Sequence, residues 1–180
     1  MTLESERHGT IMRDVTVCFS GHRPEKFPFE GAEKSVFISQ IKSMLHLEIY
    51  EAVKAGYTRF ISGMARGVDL WACEIVLGLK QEFPQIELIC AIPYEGYASR
   101  WFGVDKLAFN NYIHKAEEVH TVCESYNKGC MRQRNVFMVD NSSLLIAVCG
   151  DPRSGTGQTI RYARRQGVEV KLIRTSDEEI

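Results

Sequence analysis

Four short segments hold most of the residues able to recognise an anion: Ser20-Gly21-His22-Arg23-Pro24, Ser62-Gly63-Met64-Ala65-Arg66-Gly67, Pro93-Tyr94, and Gly150 through Ser154-Gly155-Thr156-Gly157-Gln158-Thr159. Each follows a short apolar run and precedes a stretch of helical character. Glycine lets backbone N–H groups approach a phosphate, a following helix N-terminus adds a positive dipole, and Arg or His supplies charge. Any one such turn arises as readily from chain geometry alone. Several of them together point to a phosphate-bearing small ligand.

The standard nucleotide fingerprints are absent. No G-x-x-x-x-G-K-[ST] occurs, and Gly155-Thr156-Gly157 would need a third glycine where Ile160 stands. An ordinary P-loop ATPase and a conventional NAD dehydrogenase are therefore disfavoured. The six cysteines never approach C-x-x-C spacing, and His46, His114 and His120 have no partners at metal-ligand spacing. No metal is expected and no cofactor is required; a bound nucleotide, NAD derivative or ADP-ribose would be the ligand itself.

The elements that position these segments follow from periodicity. Strands are predicted over Val15 to Ser20, Arg59 to Ser62, Ile86 to Ile92, Val119 to Glu124, Ser143 to Cys149 and Val168 to Arg174. Ile38, Ile41, Leu45, Ile49 and Val53 form the stripe of a first helix, with Gly56 beyond its end. A second carries Val68, Ala72, Ile75, Val76, Leu79 and Phe83 and stops at Pro84. Others are predicted around Phe102 to Ile113, Met131 to Asp140 and Thr156 to Gln166. Strands read as continuous apolar runs, alternating with helices, predict a Rossmann-like, doubly wound, mostly parallel sheet with helices on both faces. In such a sheet the ligand site lies beyond the strand C-termini, where all four segments fall.

A chain of 180 residues, 44% hydrophobic and 25% charged, is the size of one ordinary domain. We expect that domain at residues 14–175, with flexible termini at 1–13 and 176–180. With 22 basic and 23 acidic residues the chain as a whole does not attract nucleic acid. No apolar stretch approaches a membrane span and no signal peptide precedes the first strand, so a cytoplasmic protein with no membrane partner is expected.

The segment from Ser62 to Asp69 resembles the S-G-x-A-R-G-[IV]-D signature of the DNA-processing protein family DprA (Smf). That family is a branch of the SLOG superfamily, which also includes the Lonely Guy phosphoribohydrolases. The S-G-H-R-P turn and the S-G-T-G-x-T turn resemble the small bacterial YpsA-type branch, over roughly Val15 to Arg174. The resemblance implies a Rossmann-like fold around a nucleotide-derived ligand. Within it Arg66 would reach the anion and Asp69 would accept from loop N–H groups; an Arg66 to Asp69 ion pair that only braces the turn is the alternative. Arg134 and Met138 stand at the spacing of an Arg and a Met that precede the Lonely Guy phosphate turn. No Glu follows Thr156 or Thr159 where those hydrolases place their catalytic carboxylate.

The expected function is therefore a nucleotide-binding or sensor role without turnover. A nucleotide N-glycoside hydrolase, with Glu95 or Asp69 in place of the missing Glu, is a second reading. A DprA-like single-stranded DNA binder, using Arg132, Arg134, Arg153, Arg161, Arg164 and Arg165, is a third and is not favoured. One pocket is expected to gather Gly21, His22, Arg23, Gly63, Arg66, Gly67, Tyr94, Gly155 and Thr156. Tyr94, Tyr97 and Trp101 would wall it beside Arg100, and the Trp101-Phe102 region is the expected contact of a homodimer.

Overall fold

The computed structural model describes residues 12–176. Six strands, β1 (Thr16–Gly21), β2 (Arg59–Ser62), β3 (Glu87–Tyr94), β4 (Glu118–Cys123), β5 (Leu144–Cys149) and β6 (Glu169–Arg174), form one sheet in the order β4-β3-β2-β1-β5-β6. Every adjacent pair is parallel. Among the described residues the helices that pack on the sheet are α1 (Gly31–Lys54), α2 (Val68–Leu79), α3 (Gly103–Lys115), α4 (Cys130–Asp140) and α5 (Gly155–Arg165), and a 3-10 turn spans Pro24–Lys26. The fold is the doubly wound α/β architecture that the apolar runs predict.

The central strands are buried on both faces because both are covered. Val17 and Phe19 of β1 pack with Ile41, Leu45 and Ile49 of α1, Val76 of α2 and Phe109 of α3. Cys18, between them, packs on the opposite face with Met138 of α4 and Ile160 and Ala163 of α5. Phe19 and Phe60 stack across β1 and β2 with ring centroids 6.3 Å apart. β4 departs from the continuous apolar pattern: it is an edge strand, and its residues alternate in exposure.

The chain runs outward from β1 to β4, then returns to place β5 on the other side of β1. Strand order therefore reverses between β1 and β5, which opens a crevice between the loops that leave them. At the opposite end of the sheet, Arg59 at the start of β2 donates to Glu87 at 2.6 Å and Glu118 at 2.8 Å, tying together the starts of three strands.

Two differences from the sequence reading have clear causes. α1 begins at Gly31, seven residues before the first apolar residue of its predicted stripe, because Gly31 to Ser35 stand on an exposed turn with no face to bury. α2 ends at Leu79, before Pro84, and Phe83 closes a turn by donating its N–H to the Leu79 carbonyl. Of the expected flexible ends, residues 1–11 and 177–180 lie outside the described residues. Arg13 donates from Nε to the Ser142 carbonyl at 3.2 Å, and Ser176 donates its hydroxyl to the Gly150 carbonyl.

Candidate ligand site at the β1/β5 crevice

The loops after β1 and β5 are joined by one side chain. Nε2 of His22 accepts the Gly150 N–H at 3.0 Å, so Nε2 carries no proton and the neutral ring carries its proton on Nδ1. Burial lowers the His22 pKa, opposed by the nearby Asp151 carboxylate and reinforced by Lys26. The ring edge meets Phe27, with centroids 6.2 Å apart.

Beside this link lies a cavity of about 590 Å³. Ser20, Gly21, His22 and Arg23 line it from the β1 loop, Ala65 and Asp69 from the β2 loop and α2, and Arg134 from α4. Ser154, Gly155 and Thr156 contribute the start of α5. Ser154 caps that helix by accepting the Gly157 N–H at 3.1 Å while donating to the Asp151 carbonyl at 2.6 Å. The first amides of α5, those of Gly155 and Thr156, have no acceptor within the helix. They present the positive end of its dipole to the cavity. Arg23, Lys26 and Arg134 add cationic charge, and the carboxylates on its wall among the described residues are Asp69 and Asp151.

The β2 loop is built around a buried ion pair. Arg134 reaches from α4 to donate to the Gly63 carbonyl, and its Nη1 lies 3.8 Å from Oδ2 of Asp69. Asp69 also accepts the Ala65 N–H at 3.2 Å. Burial raises the Asp69 pKa, while Arg134 and the Ala65 N–H pull it down. A Cβ on Gly63 would overlap the Arg134 guanidinium, so this glycine leaves room for the arginine. Gly67 has φ +87°, and a Cβ there would sit 2.7 Å from the His22 carbonyl oxygen. That glycine lets the β2 loop touch the β1 loop. Ser62, fully buried, donates to the Asp69 carbonyl at 2.9 Å and accepts the Met64 N–H at 3.2 Å.

An ion pair between Arg66 and Asp69 does not form. Arg66 points outward to Glu25, with Asp105 at 3.9 Å, and Asp69 has Arg134 instead. Sequence distance hid the true pair, because Arg134 arrives from another element.

A second cavity of about 750 Å³ adjoins the first and shares Arg23 and Met131 with it. Arg66, Tyr94, Glu95, Tyr97, Arg100, Trp101 and Tyr126 stand on its wall. Its aromatic rings contact one another in series, Tyr126 to Tyr94, Tyr94 to Tyr97 and Tyr97 to Trp101, at centroid distances of 5.4, 5.4 and 5.2 Å.

The nine residues expected in one pocket are thus divided. Gly21, His22, Arg23, Gly155 and Thr156 line the first cavity, Arg23, Arg66 and Tyr94 the second, and Gly63 and Gly67 shape the loop behind them. The Ser62 to Asp69 loop and the Ser154 to Thr159 loop lie at the same edge of the sheet. Pro93 is buried within β3. Gly157 packs under the Pro152 carbonyl, and Thr159 accepts from Asn135 at 3.0 Å while donating to the Gly155 carbonyl at 2.9 Å. Both brace the turn from behind. Of the other expected arginines, Arg134 is buried and Arg161 donates to the Pro152 carbonyl at 2.5 Å. Lys26, Asn135, Thr175 and Ser176 also line the first cavity. The last two follow β6, so the strand-end rule that marked the other loops would have found them.

Comparison with known proteins places the chain in a family. The YpsA family model, described as the YspA SLOG family, matches residues 17–177. The prophage-derived protein YoqJ of Bacillus subtilis (strain 168) is 29% identical over 154 residues, covering 78% of this chain and 90% of that protein. A UPF0398 protein of Ligilactobacillus salivarius is 27% identical over 129 residues, covering 71% of this chain and 69% of that protein. Among solved structures, DNA processing protein A from Helicobacter pylori superposes with a TM-score of 0.61 at 17% identity, over 92% of this chain and 67% of that one.

Proposed function

This chain belongs to the YspA SLOG family, and from that premise we propose that it binds a phosphate-bearing, nucleotide-derived small molecule at the β1/β5 crevice, without turning it over. The observation that carries the reading is the convergence of the β1 loop, the β2 loop and the α5 N-terminus on one cavity that offers helix amides, Arg23 and Lys26. The phosphate fits the α5 end. A base or second ring fits the aromatic wall across Arg23.

Binding is favoured over hydrolysis by the state of the carboxylates. Asp69 is held by Arg134 and the Ala65 N–H, and Glu95 stands in the second cavity, away from the α5 turn. Neither is set to relay a proton at a glycosidic bond beside that helix end. Asp151, the other carboxylate on the first cavity's wall, accepts the Arg153 N–H at 2.8 Å, which lowers its pKa and leaves it ionised rather than ready to donate a proton.

Calorimetry and thermal shift with nucleoside monophosphates, NAD and ADP-ribose test the reading, using the wild type and Gly155→Glu. A side chain at Gly155 meets open space, and a carboxylate at a helix start suits the dipole. The variant should therefore fold and yet repel an anion. Saturable binding that Gly155→Glu weakens is expected; no binding by the wild type, or undiminished binding by the variant, overturns it. Free base released on incubation would favour the hydrolase reading.

One observation favours single-stranded DNA as a second reading: the superposed structure is described by its single-stranded DNA binding mode. Binding that falls steeply with salt would support it. Burial of Arg134 removes one of the cations it would use.

A further inference from the structure

We infer that the N-terminal face of α3 is a self-association surface, on which two copies of this chain pair about a two-fold axis beside the second cavity. The inference is independent of the ligand proposed above. Phe102, Val104 and Leu107 are 88%, 81% and 70% exposed within six consecutive residues. Val104 and Leu107 lie about one turn apart on the same side of α3, and Phe102 stands at its N-cap. The patch has a firm base: Trp101 turns inward, its ring centroid 5.2 Å from that of Tyr97 and 5.4 Å from that of Phe109. Phe102, Val104 and Leu107 thus leave most of their surface to water as one cluster, the kind of exposed apolar patch that marks an interaction site on a soluble protein. A specific interface of about 800 Å² per partner would enlist further surface around them.

Charge selects a second copy as the occupant. Arg100 is exposed and makes no ion pair among the described residues. Asp105 has Arg66 at 3.9 Å, a cation that Glu25 already engages. One charge of each sign therefore flanks Phe102 with capacity to spare. A two-fold arrangement sets Arg100 of each copy against Asp105 of the other, and so satisfies both pairs at once. A polyanion or an anionic bilayer would instead call for a surplus of basic residues. The net charge of -1 gives two copies little mutual repulsion.

Sedimentation velocity of the full chain, from about 5 to about 200 µM, tests this. We expect the wild type to approach twice the monomer mass across that range, and Leu107→Glu to raise the dissociation constant at least about tenfold. Val36→Glu, on an exposed face of α1, should change nothing. Arg100→Asp and Asp105→Arg should each weaken pairing, and their combination should restore it; this arm carries the test if Leu107→Glu fails to fold. A wild type that stays monomeric throughout, self-association undiminished in Leu107→Glu, or a charge swap without rescue overturns the proposal.

Discussion

Nε2 of His22 accepts the N–H of Gly150 at 3.0 Å, across 128 residues of sequence. The bond closes the crevice between β1 and β5 on one side and sets the spacing of two loops that carry much of the first cavity's wall. It exists only while the imidazole is neutral, since an imidazolium has no acceptor nitrogen.

A pH dependence follows. Burial holds the folded-state His22 pKa below its ordinary 6.5, so as pH falls through that value the unfolded chain takes up a proton that the folded chain resists. Stability should decline from about pH 6.5 downward, until the folded-state pKa is passed. His22→Gln keeps an acceptor and removes the titration, so its melting temperature should fall less than that of the wild type between about pH 7 and about pH 5. Parallel declines would show that His22 is not the group responsible.

Arg134 and Asp69 should behave as a buried pair. Arg134→Met leaves an uncompensated carboxylate and should cost about 3 to 5 kcal/mol in denaturant unfolding. Adding Asp69→Asn should recover at least about 1 kcal/mol of that. Strictly additive losses would mean that the two side chains do not act together.

Gly63 makes a more specific demand. Gly63→Ala should destabilise by about 1 to 3 kcal/mol because its methyl overlaps the Arg134 guanidinium. In an Arg134→Ala background the same change should cost much less. An equal cost in both backgrounds would place the overlap on the Asp69 carboxylate, whose Oδ2 would stand 2.8 Å from that methyl, rather than on Arg134.

Arg66 should matter little to stability. Its contacts with Glu25 and Asp105 lie at 38% side-chain exposure, and Arg66→Ala should shift unfolding by less than about 1 kcal/mol. Its position on the second cavity predicts instead a weaker response to ligands bearing a second ring, read by calorimetry. A large loss of stability would show that it braces the loop after all.

Much of this fold was legible because a covered parallel sheet leaves a local signal. Runs such as Leu144 to Cys149 are apolar throughout, since both faces are buried. The strand-end rule then brought His22, Ala65, Gly155 and Thr156 to one edge without any knowledge of side-chain geometry. What stayed hidden was pairing between distant elements. The resemblance singled out Arg134, but nothing in the sequence ties it to Gly63 and Asp69, and Arg66 was the nearer cation. Nor does local sequence tell whether a glycine faces ligand or makes room for a guanidinium, so Gly63 read as part of a phosphate turn. The division into two cavities depends on Arg23 and Met131 standing between them, a matter of side-chain placement alone.

The most direct test of the central claim is a two-dimensional amide NMR titration of the full chain with ADP-ribose and with a nucleoside monophosphate. We expect saturable shifts at the Gly150, Gly155 and Thr156 amides and at the His22 ring, with Tyr94 and Tyr126 responding when the ligand carries a second ring. Saturation that leaves those amides unmoved, or shifts confined to other surfaces, would contradict a phosphate site at the β1/β5 crevice.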